Sequence, residues 1–318
     1  MLTLVAELCR VSKQFKQATI LTVALKGPLL SQQYYNDYTV RECNDLDILV
    51  KPSDVQAAYR ILTDMGYGMT EVFWSSPKQR AVYHKTFHHY TMYNASNHVV
   101  IELHWRLYSS NQVDKGATEN LWNNLRIQKL GGLEIQVLSG SDMFIYLCVH
   151  GSAHQWTRLF WVQDIVRIIK KEGGEFVGRA YQKSVGRGVA RHVLEGCHLS
   201  HLLFDACLPL VIQEAIQSDK RIEQLAAMSI FAMNHVTASD NNPIASWGNL
   251  TLAQKRVVNH YRTSYHLGGG EALSSSFKRF FINPRYWRLY SFSDRFFVLN
   301  YFAAPFLWVY SVFTKNSE

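Results

Sequence analysis

Arg41-Glu42-Cys43-Asn44-Asp45-Leu46-Asp47-Ile48-Leu49-Val50 is the stretch on which the fold and the chemistry of this chain turn. In an extended strand side chains alternate, so Asp45 and Asp47 share one face while Leu46 and Ile48 face the other way, into a core. Two like charges held side by side repel unless a cation sits between them, which points to a divalent metal site. An edge strand whose polar face merely meets water shows the same pattern. The surrounding residues have to decide between the two.

A third carboxylate stands in Val99-Val100-Ile101-Glu102-Leu103-His104-Trp105, among apolar residues on an expected strand, with His104 on the face of Glu102. If that strand lies beside the Asp45/Asp47 strand, three acidic side chains converge on one surface, which suits a one- or two-metal phosphoryl-transfer site. A Glu on a half-solvated strand is the bland alternative. A site of this kind binds a nucleoside triphosphate through Mg2+ or Mn2+, while the third carboxylate orients or deprotonates an acceptor hydroxyl. Lys26-Gly27, at the end of the preceding strand, supplies a close-approach backbone and a cation for the phosphates. Arg41, four residues before Asp45, either binds phosphate or buttresses the acidic cluster by ion pairing.

Working outward, residues 2–16 have near-helical apolar spacing, and Ala18–Leu25 reads as a strand ending at Lys26-Gly27. Helices are expected over 28–35 and from Pro52-Ser53-Asp54 to Met65, with Gly66 as the stop. Strands are expected over 68–74, 88–93, 98–104 and 133–138, the middle two joined through Asn94-Ala95-Ser96-Asn97. Ser139-Gly140-Ser141-Asp142 is a helix-start signal, and beyond it helices are expected over 142–154, 158–171, 175–184, 187–204, 209–217 and 220–235. The break near 140 divides the chain into residues 1–140 and a mostly helical 141–318, with a flexible loop expected at 268–276.

Composition bounds the function classes. The 318 residues are 47% hydrophobic and 18% charged, a globular balance that excludes a disordered chain. A formal net charge of +8 and a pI near 9.2 favour an anionic partner such as a nucleotide, RNA or an acidic membrane surface, although no long Lys/Arg run carries the excess. Five cysteines in an odd count, without CxxC spacing, argue against a disulfide framework and a zinc knuckle. The start Met1-Leu-Thr-Leu-Val-Ala-Glu-Leu8 lacks signal-peptide features, so a cytoplasmic location is expected. Near the C-terminus, Phe296–Phe313 is uncharged, rich in aromatics and preceded by basic residues from Lys278 onward. It reads as a helix packed on the domain or as a membrane-surface segment over 278–313 at the inner membrane face, and less as a span.

His150 and His154, spaced i,i+4, share one side of a helix as two imidazoles of a transition-metal site do, but no HExxH glutamate accompanies them. Packing toward an active site or acceptor and phosphate contact is the preferred reading, with Asp164 as partner. His84, His88 and His89 read as surface or hairpin decoration.

The ordered set Leu25-Lys26-Gly27, Arg41, Asp45-Leu46-Asp47-Ile48-Leu49-Val50, Gly66-Tyr67 and Ile101-Glu102-Leu103-His104-Trp105 resembles the uncharacterised nucleotidyltransferase branch of the polymerase-β-like nucleotidyltransferase superfamily. The likeness continues through Leu147-Cys148-Val149-His150-Gly151, His154, Trp156, Arg158-Leu159 and Trp161-Val162-Gln163-Asp164, and covers roughly residues 20–205. It departs at the turn, where the superfamily has Gly-Gly or Gly-Ser and this chain has Gly27-Pro28 followed by a longer insert holding Tyr34-Tyr35-Asn36-Asp37-Tyr38.

The resemblance implies an α+β fold, with a mixed sheet and flanking helices as the catalytic domain over 1–140, then a helical domain over 141–318 with an aromatic, basic tail. It implies a metal-dependent transfer of a nucleoside monophosphate from an NTP to a hydroxyl or phosphate acceptor, releasing pyrophosphate. Asp45, Asp47 and Glu102 become the catalytic and metal-binding residues, and Lys26, Gly27 and Arg41 the nucleotide-binding ones. His104, His150, His154 and Asp164 become supporting or acceptor-binding residues. Sugar phosphate, peptide, protein side chain, tRNA end and small antibiotic are all compatible acceptors. A non-catalytic nucleotide-binding regulator and a membrane-surface enzyme of glycan or lipid assembly are the competing readings.

Overall fold

The computed structural model describes residues 1–71, 74–108, 120–235, 261 and 281–314. In chain order its first elements are α1 (Leu2–Gln17), β1 (Val23–Ala24), α2 (Pro28–Tyr35), β2 (Asp45–Leu49), α3 (Val55–Asp64), β3 (Gly68–Met69), α4 (Pro77–Thr86), β4 (His89–Asn94) and β5 (Val99–His104). Then come β6 (Leu125–Leu130), β7 (Leu133–Leu138), α5 (Gly140–Ala153), α6 (Leu159–Gly186), α7 (Ala190–Phe204), α8 (Leu210–Ser218) and α9 (Arg221–His235). The C-terminal part holds α10 (Pro284–Leu289) and α11 (Leu299–Thr314). This is an α+β protein with strands in mixed parallel and antiparallel pairing, flanking helices and a helical C-terminal region. The loop expected at 268–276 lies outside the described residues.

The chain forms two compact units. One comprises Lys13–Thr22, Asn44–Gln112 and Gly268–Glu318. Its strands run in the order β3-β4-β5-β2, with β2 parallel to β5 and the other pairs antiparallel. Leu46 and Ile48 of β2 and Ile101 and Leu103 of β5 are fully buried, as alternation requires of the face opposite the carboxylates. Ala58 and Leu62 of α3 are buried as well, and α3 lies against β5. The end of β5 is held by aromatic packing: the Trp105 indole N–H donates to the His84 carbonyl at 3.1 Å, and its ring lies 4.8 Å from that of Tyr90.

The other unit comprises Met1–Ser12, Val23–Cys43 and Val113–Leu267. Here β1 pairs in parallel with β7, and β6 and β7 form an antiparallel hairpin. Its two-residue turn is Gly131-Gly132, with φ of 56° and 80°, the left-handed region that a tight hairpin demands. Helices α5, α6 and α7 pack on one another around Cys148, Val149, Ile165, Val193, Cys197 and Leu199.

Several elements differ from the sequence expectation. The strand expected over 18–25 shrinks to Val23–Ala24, because α1 runs to Gln17 and closes through Thr19 at φ 58°, with Ile20 N–H on the Phe15 carbonyl. The helices expected over 158–171 and 175–184, by contrast, are both present as the two parts of α6, divided at Gly173, where φ of 81° and ψ of 172° are not helical. Helix α4 and strand β6 were not anticipated. The C-terminal aromatic stretch forms the 16-residue α11 with Pro305 inside it, and among the described residues no helix is long and apolar enough to cross a membrane.

Candidate active site

Strand β2 carries the two aspartates, and its parallel pairing with β5 sets Asp47 opposite Glu102, with Asp45 opposite Val100 and Leu49 opposite His104. Side chains opposite one another in register share a sheet face, so Asp45, Asp47, Glu102 and His104 all project to one side. The antiparallel neighbour β4 adds His89, opposite His104, to the same face. The register thus assembles on one surface groups that lie more than fifty residues apart in the chain.

The centre of this surface is His104. Its Nε2 sits 3.2 Å from Asp47 Oδ1 and 3.2 Å from Glu102 Oε2. His104 and Asp47 are buried, whereas the Glu102 side chain is about a quarter exposed. Burial pulls the imidazole toward its neutral form, but the two carboxylates outweigh it and hold the His104 pKa up at about 9. The two carboxylates therefore converge on one atom, His104 Nε2. Asp47, Glu102 and His104 form one of the two close groups of metal-capable side chains among the described residues; Asp45, partly exposed, shares their face but belongs to neither group. The second group is His88, His89 and His104.

The remaining expected residues lie in the other unit. Gly27 precedes α2 at φ 74° and ψ −141°, a conformation that suits glycine, and Pro28 occupies the first helical turn. Lys26 Nζ lies 3.4 Å from His150 Nε2. His150 and His154 have ring centroids 4.7 Å apart, and both rings lie within 5.3 Å of Trp161.

Arg41, weighed above as either a phosphate ligand or a buttress, points its Nε at both oxygens of Asp164, at 3.0 and 2.9 Å. Both side chains are almost wholly buried. Burial disfavours the guanidinium charge and Asp164 more than offsets it, so Arg41 is held above its ordinary value. Tyr35 completes this cluster by donating to Asp164 Oδ1 at 2.8 Å, and burial together with that carboxylate pushes the phenol well up. Sequence reasoning did not single out Tyr35 for this role, since nothing in an insert tyrosine marks a partner 129 residues away. It also set aside His88 and His89, although the strand period places His89 across from His104.

The model of a family described as an uncharacterised nucleotidyltransferase matches residues 1–205, well over half of the chain. The chain belongs to that family. It is accordingly a nucleotidyltransferase, and nucleotidyl transfer in general is its chemistry. Two solved structures are similar to this nucleotidyltransferase. One is a solution structure of the antibiotic-resistance factor ANT(2'')-Ia, 10% identical with a TM-score of 0.42, covering 62% of this chain and 97% of the other. The second is a crystal structure of ANT(2'')-Ia in complex with adenylyl-2''-tobramycin, 9% identical with a TM-score of 0.40, covering 58% and 96%. No curated protein matches the chain.

Proposed function

We propose that this nucleotidyltransferase moves a nucleoside monophosphate from an NTP to a hydroxyl or phosphate acceptor, releasing pyrophosphate, with a divalent cation held by Asp45, Asp47 and Glu102. The observation that carries this reading is the approach of Asp47 and Glu102 to one and the same atom, His104 Nε2, on the sheet face that Asp45 shares. Converging carboxylates suit a hard dication with oxygen ligands, so the residues present fit Mg2+ or Mn2+. When bound, such an ion neutralises triphosphate charge and the charge that builds up during transfer.

The chain's own groups supply the rest. Lys26 and the backbone at Gly27, ahead of the N-terminus of α2, hold the phosphates. Arg41, fixed by Asp164 and Tyr35, is a positioning residue for the segment between α2 and β2. Glu102, the more exposed of the two carboxylates in contact with His104, either completes the metal position or orients the acceptor and takes its proton. The acceptor oxygen bonds to the α-phosphorus, the bond from that phosphorus to the bridging oxygen breaks, and pyrophosphate leaves with the electron pair. His150, His154 and Trp161 offer an aromatic surface suited to the acceptor or the base. In this reading residues 1–140 supply the catalytic groups and the helical remainder shapes acceptor choice.

Asp45→Ala and Asp47→Ala each lower NTP turnover by about three orders of magnitude in this scheme, with the circular-dichroism spectrum unchanged. Turnover retained in the double variant would contradict it.

A second reading, that the enzyme works at an acidic membrane surface, is favoured by α11. Phe302 and Phe306 are 69% and 76% exposed, with Trp308, Val309 and Tyr310 also outward, while Phe297, Asn300 and Ala304 are buried. Between Lys278 and Lys315 the sequence has six basic residues against one acidic residue, Asp294. Aromatic side chains beside cations suit a headgroup interface. Flotation with anionic vesicles recovers the wild-type chain and leaves Phe302→Ser/Phe306→Ser in the dense fraction; equal recovery of both removes this reading.

A further inference from the structure

Beside the carboxylates lies a second constellation of different chemistry. The metal-capable ring nitrogens of His88, His89 and His104 all lie within 4.8 Å of one another. The His88 and His89 rings have centroids 4.4 Å apart, and His104 lies 5.3 and 4.9 Å from them. Three elements of position produce this grouping. His88 ends the connection from α4, His89 opens β4, and antiparallel register sets His89 across from His104 at the end of β5.

Two independent observations point to a ligand. His104 is 3% exposed, and while its Nε2 meets the carboxylates, its Nδ1 is buried with no hydrogen-bond partner among the described residues. A buried imidazole nitrogen is ordinarily satisfied, and a metal-ligating histidine uses one nitrogen for the ion while a carboxylate orients the other. Glu102, moreover, reaches both ways: Oε2 stands 3.2 Å from His104 and Oε1 stands 3.7 Å from His89 Nε2. A carboxylate that orients one imidazole and approaches another is the support that a histidine metal centre needs.

We propose that His88, His89 and His104 form a site for one transition-metal dication of the zinc and cobalt class, bordered by Glu102. Imidazole nitrogen is a borderline ligand that suits Zn2+, Co2+ or Ni2+, whereas Mg2+ demands oxygen and dehydrates reluctantly. The inference rests on the nucleotidyl-transfer reading only in that Glu102 belongs to both groups. It adds an ion whose ligand set and selectivity differ from those of the Asp45/Asp47 cation. His88 and His89 are partly exposed, which leaves the centre open to solvent on one side.

The test uses the full-length chain and the metal alone. Wild-type protein is loaded with Co2+ or Zn2+, desalted into excess Mg2+, and assayed for bound metal and for imidazole ligands by X-ray absorption. About one equivalent is retained, with imidazole scattering, and His88→Ala/His89→Ala lowers the affinity by at least about 100-fold. His89→Asn, a milder change, also weakens binding, and the metal-free melting temperature of each variant reports folding separately. Asp45→Ala keeps the transition ion, because Asp45 belongs to neither close group. Metal lost from the wild type in Mg2+ buffer, or binding by the histidine variants equal to wild type, overturns the proposal. Mg2+-supported turnover that persists without a bound transition ion overturns nothing in the nucleotidyl-transfer reading, so the two fail separately.

Discussion

At Asp142 four donors meet one buried carboxylate: Lys183 and Arg187 reach Oδ1 at 2.7 Å, and Ser139 and Asn124 reach Oδ2 at 2.6 and 3.0 Å. Burial alone would lift this carboxyl, but Lys183, Ser139 and Arg187 hold it below its ordinary value of 3.8. A depressed folded pKa stabilises at every pH above the unfolded value and is lost as pH falls through the folded one. Wild type should therefore exceed Asp142→Asn in stability by on the order of 2 kcal/mol at pH 7. Urea titrations should show that gap closing below pH of about 4; a gap constant down to pH 2 would refute the assignment. Asp45 and Asp47 were readable as one strand face because alternation is a local rule, whereas Glu102 joins them only through the pairing of β2 with β5. The pairing of Arg41 with Asp164 and Tyr35 was not, since it depends on how distant segments pack. The same holds for His88 and His89, whose metal-ligand character exists only once β4 and β5 are in register.

Among the elements, those with their own local signals were legible. The run Ser139-Gly140-Ser141-Asp142 marks the start of α5, and the expected helices over 187–204, 209–217 and 220–235 lie within a few residues of α7, α8 and α9. Helix α4 was missed although Ser76 caps it by accepting from Gln79 N–H at 3.2 Å and Pro77 begins it, a start signal overlooked beside its polar, weakly amphipathic body. Strand β6 was missed because half of it is exposed, yet Gly131-Gly132 ahead of β7 implied a paired strand before the turn. The His150-Gly151 pair has a packing cause. A Cβ on Gly151 would stand 2.5 Å from the ring of Trp156, a wholly buried residue whose backbone N–H donates to the Gly151 carbonyl at 2.8 Å. Gly151→Ala should cost roughly 1–3 kcal/mol by overpacking. Thermal denaturation checks this, and an unchanged midpoint would mean that the Trp156 ring has room to move.

For the molecule as a whole, the α+β class and the family were legible because an ordered series of short motifs within residues 20–205 constrains far more than any one motif does. The positive net charge is compatible with an anionic partner, but charge alone does not name an acceptor. What unifies the site is a claim about which bond breaks. NTP labelled at the α-phosphate in one reaction and at the γ-phosphate in another, each supplied with Mg2+ or Mn2+ and a pool of candidate acceptors, reads that bond directly. Nucleotidyl transfer puts the α-label on the acceptor and the γ-label in pyrophosphate, and Asp45→Ala/Asp47→Ala does neither. Transfer of the γ-label, or α-label transfer that survives the double substitution, would contradict it.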